Sequence, residues 1–118
     1  MLNLNHKRLE VWKESIELVK IIYTMTANFP KSELFGLTSQ LRRASVSIVS
    51  NIAEGCSRKS SVERKRFFEI SRSSLVEIDT QLEISLNLNY LTNEDLDNLS
   101  ELLNKLFAKL SNLISKTH

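Results

Sequence analysis

The chain has one cysteine, one proline and two glycines among 118 residues, and its only histidines, His6 and His118, stand near the two ends. A lone Cys56 excludes an internal disulfide and a multi-cysteine zinc site. Placed just past the end of a helix, where the dipole is negative, it reads as a structural thiol and not a reactive thiolate. Scarce glycine and proline exclude a loop-rich or all-β architecture. No apolar run approaches the roughly 20 residues needed to cross a bilayer, and MLNLNHKRLEVW lacks the apolar centre of a signal peptide, which points to a cytoplasmic protein with no membrane partner. There is no glycine-rich phosphate loop. The Glu-x-x-His pairs that hold two irons inside a helix bundle are missing, and Ser47 and Ser74 have no internal histidine to act as base. Neither a metal, a cofactor nor an enzymatic activity is expected.

What is present suits helices: 42% hydrophobic and 25% charged residues, rich in Leu, Lys, Glu, Ser and Asn. One all-α domain over residues 1–118 is the expectation. From about Arg8 to Ala27, Leu9, Trp12, Ile16, Val19, Tyr23 and Thr26 recur at spacings of three and four as a seam, widened by Val11, Leu18, Ile22 and Met25. Phe29-Pro30 stops that helix. A second helix runs from near Thr38 to Gly55, read as a left-handed cap. Ser60 to Glu63 matches a capping box and opens a third helix, seamed by Phe68, Leu75, Ile78, Leu82 and Leu86 and ended by a left-handed Asn89. Thr92 caps the fourth, with Asp95 three residues on and Leu91 against Leu96 as a staple. There Leu96, Leu99, Leu103, Leu106, Leu110 and Leu113 give the clearest periodicity in the chain. Long helices with short connections predict an up-down-up-down antiparallel four-helix bundle.

The second helix is unusual. Leu37, Leu41, Ala44, Ile48 and Ile52 form one apolar stripe, and Val46, Val49 and Ala53 a second. Gln40, Arg43, Ser47, Asn51 and Glu54 lie between them, so only Ser39 and Ser50 look clearly outward. Two apolar stripes on one helix predict neighbours on several sides, a subunit interface included. Ser74, Glu77 and Gln81 form a polar stripe on the third helix. Pairing the two helices predicts a structural polar network of Gln40, Arg43, Ser47, Asn51, Glu54, Ser74, Glu77 and Gln81, with an Arg43 to Glu77 ion pair that fixes register.

Net charge is only +2, yet residues 1–76 carry 13 basic and 7 acidic side chains while residues 77–101 carry 7 acidic and no basic ones. In the predicted bundle one end gathers Lys7, Arg8, Arg58, Lys59, Arg64, Lys65, Arg66, Lys109 and Lys116 against Glu10, Glu54 and Glu63. The other gathers Glu33, Glu83, Glu94, Asp95 and Asp97 against Lys31. Most charge runs are solvated faces. Basic residues at a helix N-terminus oppose the dipole, however, so local stability does not account for Arg64, Lys65 and Arg66. Sequence-tolerant binding of an RNA or DNA backbone by Lys7, Arg8, Arg58, Lys59, Arg64, Lys65 and Arg66 is the expectation, without base stacking, because Phe67 and Phe68 read as core. The alternative is a scaffold or adaptor that binds a protein partner and no nucleic acid.

Several segments resemble the four-helix-bundle family of 23S rRNA-intervening-sequence proteins. They are Leu9-x-Val11-Trp12, then Phe29-Pro30-x-x-Glu33-x-Phe35-Gly36-Leu37-x-x-Gln40-Leu41-Arg42-Arg43-Ala44, Ser47-Ile48, Asn51-Ile52-Ala53-Glu54-Gly55, Ser57-Arg58, Ser74-Leu75-x-Glu77 and Gln81. The likeness spans about Leu9 to Leu91. That family is similar in turn to the accessory variability determinant of diversity-generating retroelements, a homopentameric barrel that binds nucleic acid and a reverse transcriptase. The resemblance implies a non-catalytic cyclic homopentamer. The chain departs from the family pattern at Ser73, where glycine commonly stands, at Phe35 for tyrosine and at Asn89 for glycine. No retroelement-specific signature is present, so a reverse-transcriptase partner is not carried over.

Overall fold

Four long stretches without an internal proline become four helices: α1 (Glu10–Thr26), α2 (Leu37–Ser57), α3 (Ser61–Asn87) and α4 (Asn93–Lys116). Short 3-10 turns cover Asn5–Arg8 and Lys31–Glu33, and there is no strand. The computed structural model describes residues 1–118. No helix is long and apolar enough to cross a membrane.

Helix ends follow local chemistry. At α3 the Ser60 hydroxyl accepts from the Glu63 amide at 3.0 Å, but Glu63 does not reach back and stands 4.0 Å from Arg66 instead. The capping box is complete at α4, where Thr92 Oγ1 accepts from the Asp95 amide and the Asp95 carboxylate accepts from the Thr92 amide. The Thr92 amide and the Thr92 hydroxyl both donate to the carboxylate, which stabilises its ionised form and holds the Asp95 carboxyl below its usual range. Asn89 has φ 63. Around it Tyr90 N–H reaches Ser85 C=O at 2.9 Å and Asn89 N–H reaches Leu86 C=O at 3.0 Å, the paired bonds of a Schellman ending.

Gly55 departs from its predicted role. It has no positive φ and lies inside α2, which continues to Ser57. Its purpose is space: a Cβ at that position would stand 2.5 Å from Cε1 of the fully buried Phe68 and 3.1 Å from the Arg64 carbonyl oxygen. The missing side chain lets α2 and α3 meet there, and small hydroxyl residues continue the contact. Ser71 Oγ donates to the Ile48 carbonyl at 2.9 Å and Ser47 bonds Ser74 at 3.0 Å.

The core is built from Leu18 and Ile22 of α1, Leu41, Ile48 and Ile52 of α2, Ile78 of α3, and Leu99, Leu106 and Leu110 of α4. In α1 the buried line is Val11, Ser15, Leu18, Ile22 and Thr26, so the residues predicted to widen the seam lie deeper than most of the seam itself; Trp12, Ile16 and Val19 are half-buried and Tyr23 is exposed. Ser15 hides this line from a reading of apolar spacing. It is buried because its hydroxyl is satisfied by the Trp12 carbonyl at 2.6 Å. In α2 the first apolar stripe is covered, but Gln40, Arg43, Val46, Ser50 and Glu54 are exposed while Val49 and Ala53 are half-buried. A single chain therefore leaves one face of α2 open.

Replacing Gly55 with alanine is expected to destabilise the fold by about 1–2 kcal/mol, or roughly 4–8 °C in Tm, because overpacking against Phe68 outweighs the gain in helix propensity. Thermal and urea unfolding check this. Pairing the change with Phe68→Leu should recover part of the loss, which a purely backbone effect would not allow.

Candidate functional site

The α2–α3 connection is only Arg58–Ser60, so the end of one helix and the start of the next are held side by side. The 3-10 turn at Asn5–Arg8 packs against the same corner, where Leu9, Cys56, Arg64 and Leu113 line one cavity. Lys116, Lys109 and Glu10 line an adjoining groove. The sequence-predicted cations thus meet at one end of the molecule, but they are not equivalent.

Arg8, Lys59 and Lys65 are exposed and enter no ion pair. Lys7 Nζ donates to the Leu2 carbonyl and so folds the N-terminal segment back on itself. Arg58 is partly spent: it holds Glu54 at 3.0 Å and lies over the Phe67 ring at 4.9 Å. Arg66 lies 4.0 Å from Glu63, with both side chains well exposed, an interaction that water and salt weaken. Arg64 is half-buried with its Nε enclosed and without a partner, so it is not a free surface cation. Lys65 and Arg66 border a shallow groove of about 620 Å3 along α3 that continues past Ile70 to Ser73 and Glu77.

Lys109 leaves the basic cluster altogether. It bridges Glu10 at 3.0 Å and Glu14 at 2.6 Å, tying α4 to α1. The two carboxylates raise the Lys109 pKa, and Lys109 lowers that of Glu10. Only position along helices that meet in three dimensions reveals this cluster, since Lys109 and Glu10 are 99 residues apart.

The polar stripe forms in part. Ser47 bonds Ser74, and Asn51 Nδ2 donates to the Ser47 carbonyl at 2.8 Å and to its hydroxyl at 3.0 Å. Gln81 is buried and donates to Glu77 at 3.4 Å. Gln40 and Arg43 lie exposed on α2, Glu54 is taken by Arg58, and the expected Arg43 to Glu77 ion pair does not form. Arginine bonding is supplied one residue earlier: Arg42 donates to Thr26 Oγ1 at 2.9 Å and lies 4.6 Å over the Tyr23 ring, joining α2 to α1.

At the far end Glu33 works as a clamp. It accepts from Tyr90 Oη at 2.8 Å and from the Leu37 amide at 3.3 Å, so it links the start of α2 to the approach to α4. The carboxylate beside Tyr90 raises the phenol pKa. Glu83, Glu94 and Asp97 remain exposed. No group of three or more His, Cys, Asp or Glu side chains is arranged to hold a metal ion. Cys56 is half-buried, and burial raises its thiol pKa.

Comparison with known proteins bears on both family and fold. The family model described as 23S rRNA-intervening sequence protein matches residues 7–112. A crystal structure of a protein of unknown function from the S23 ribosomal protein family, from Bacteroides thetaiotaomicron VPI-5482, superposes with a TM-score of 0.78 at 22% identity, covering 88% of this chain and 97% of that one. At that identity the likeness concerns the fold alone. No curated protein matches the chain.

Replacing Lys109 with glutamine should let the Glu10 carboxyl return toward its ordinary value of 4.5. In the unaltered protein the lowered Glu10 pKa contributes stability that is full above that ordinary value and is lost as pH falls through the lower, folded value. An NMR titration of Glu10 beside acid unfolding of both proteins tests this. An unaltered Glu10 titration would mean that no such bridge forms in solution.

Proposed function

The chain belongs to the 23S rRNA-intervening sequence protein family, and from that premise we propose a non-catalytic, cytoplasmic binding protein that engages nucleic-acid backbone through its basic end. The observation that carries this reading is the group of Arg8, Lys59 and Lys65 around the α2–α3 connection, uncommitted to any carboxylate, with Arg66 only loosely held. Exposed cations that do nothing for the fold are the ones available to phosphates. No aromatic face accompanies them, since Phe68 is fully buried and Phe67 is covered by Arg58. Recognition of backbone and shape, not of bases, follows.

The same reading gives the chain an up-down-up-down antiparallel topology. It is supported by the pairing of Arg42 with Thr26, of Ser71 with Ile48, of Arg72 with Ser111 and of Lys109 with Glu10. It also makes the assembly a cyclic homopentamer, in which a second copy covers the open face of α2. Support comes from Val46, 42% exposed on that face, and from the unpaired Arg43 beside it. The number five rests on the family resemblance.

A labelled RNA hairpin followed by fluorescence anisotropy across a salt series tests the binding. The Lys59→Glu, Lys65→Glu, Arg66→Glu triple variant should bind weakly, and the slope of log K against log salt should shrink by about 1 for each phosphate that is no longer neutralised. Undiminished affinity would exclude this surface. Absence of any affinity in the unaltered protein would favour the adaptor reading through exposed Glu94 and Asp97. Light scattering is expected to give about five times the 13.6 kDa chain mass; a monomer would end the ring model.

A further inference from the structure

Beneath the N-terminal turn, four segments of the chain border a half-open cavity of about 470 Å3, within the range of small-molecule sites. Leu4 and Leu9 line it from the N-terminal segment, Cys56 from the end of α2, Phe68 and Arg64 from α3, and Leu113 from α4. The lining is therefore mostly apolar with a single permanent cation and no carboxylate. Arg64 enters no ion pair anywhere in the chain, and its Nε is buried without a hydrogen-bond partner. What the cavity meets is a guanidinium charge held at a mostly apolar wall with no carboxylate beside it, and an anion entering there would neutralise it.

We propose that this cavity binds a free amphipathic monoanion, a medium-chain carboxylate, whose tail lies against Leu4, Leu9 and Leu113 and whose head group meets Arg64. Each part of that chemistry is required by the lining. A tail is needed because leucine side chains recover nothing from a hydrated ion. An anionic head is needed because a neutral one would leave the guanidinium charge unmet. A nucleotide fits poorly: the Phe68 ring is fully buried and offers no stacking face, and one arginine is a small counterpart for a phosphate dianion. The surrounding Lys7, Arg8 and Lys59 raise the local concentration of any anion. Burial raises the Cys56 thiol pKa, which disfavours a competing thiolate.

Entry is governed by the N-terminal segment. The turn at Asn5–Arg8 contains no buried residue, and Met1, Leu2 and Leu4 are exposed although apolar. A segment so lightly held can lift and close, and a ligand tail would give Leu4 an apolar surface to cover. This site does not depend on nucleic-acid binding, since its cation is the half-buried Arg64 and the proposed backbone contacts are made by exposed residues.

Trp12 is the protein's single tryptophan, and its ring packs 5.2 Å from His6, which also lines the cavity, so its fluorescence reports occupancy. Decanoate below its micelle concentration is titrated against the full chain, with decanol as the neutral isostere and inorganic phosphate as the anion alone. Isothermal calorimetry runs in parallel. Decanoate should bind saturably and at least about tenfold more tightly than decanol, with phosphate producing no competition. Arg64→Gln should remove that preference while leaving decanol affinity unchanged, and Arg64→Lys should restore part of it. Equal affinity for decanoate and decanol in the unaltered protein overturns the proposal, as does the lack of saturable decanoate binding by both methods. Because the first comparison needs no variant, misfolding of an Arg64 substitution cannot obscure the answer.

Discussion

The fold depends on how closely α2 and α3 approach. Phe68 occupies the volume that a side chain at residue 55 would need, and Ser71 reaches across to the Ile48 carbonyl. These contacts tie particular residues of one helix to particular residues of the other, and a slip of either helix would drive Phe68 into a Cβ. Close packing tolerates such overlap poorly, so register is set sterically before any charge acts. The hydroxyls then add direction: Ser47, Asn51 and Ser74 satisfy one another where an apolar residue would have packed equally well but without a unique partner. The expected Arg43 to Glu77 pair is unnecessary for this purpose. Leaving both residues on the surface avoids the desolvation that a buried ion pair would incur.

That register also decides which cations are free. With the connection reduced to Arg58–Ser60, the ends of α2 and α3 crowd together, and some charges are absorbed locally. Arg58 turns back to Glu54, and Lys109 is drawn to Glu10 and Glu14. Arg64 sinks beside Phe68 beneath the N-terminal turn. Arg8, Lys59 and Lys65 find nothing to pair with. A run of basic residues that looks uniform in sequence is thus three populations: structural, enclosed and available.

Local signals in the sequence are legible, and nonlocal ones are not. The caps at Ser60 and Thr92, the left-handed Asn89 and the leucine spacing of α4 each depend on residues within about one or two turns, and each is present in the fold. Gly55 differs, because a glycine near a helix end suits a cap and a close approach equally, and only the position of Phe68 separates them. In α1 the eye follows large apolar residues, but the helix is covered along a line that includes Ser15, whose polarity is cancelled by its own backbone. The polar stripe holds in its inner members, Ser47, Asn51 and Ser74, and fails in its outer ones, Gln40 and Arg43. Helical periodicity assigns a face, whereas the depth of that face depends on the neighbouring helix. The Lys109 bridge and the Glu33 to Tyr90 clamp have no local signature at all, being contacts between residues 95 or more and 57 positions apart.

A net charge of +2 would normally say little about anion binding. Here distance makes it misleading. The molecule is 44 Å long, and the exposed Glu94 and Asp97 follow the Tyr90 to Glu33 clamp at the end opposite Lys59 and Lys65. At physiological ionic strength charges are screened over about 8 Å, so the acidic end cannot cancel the field of the basic one. A phosphate approaching the α2–α3 connection meets the local cluster alone. The enclosed Arg64 is screened less than its exposed neighbours, because mobile counterions reach a buried charge poorly. Increasing salt should therefore weaken the surface group first, and the two kinds of cation at this one end answer to different physical controls.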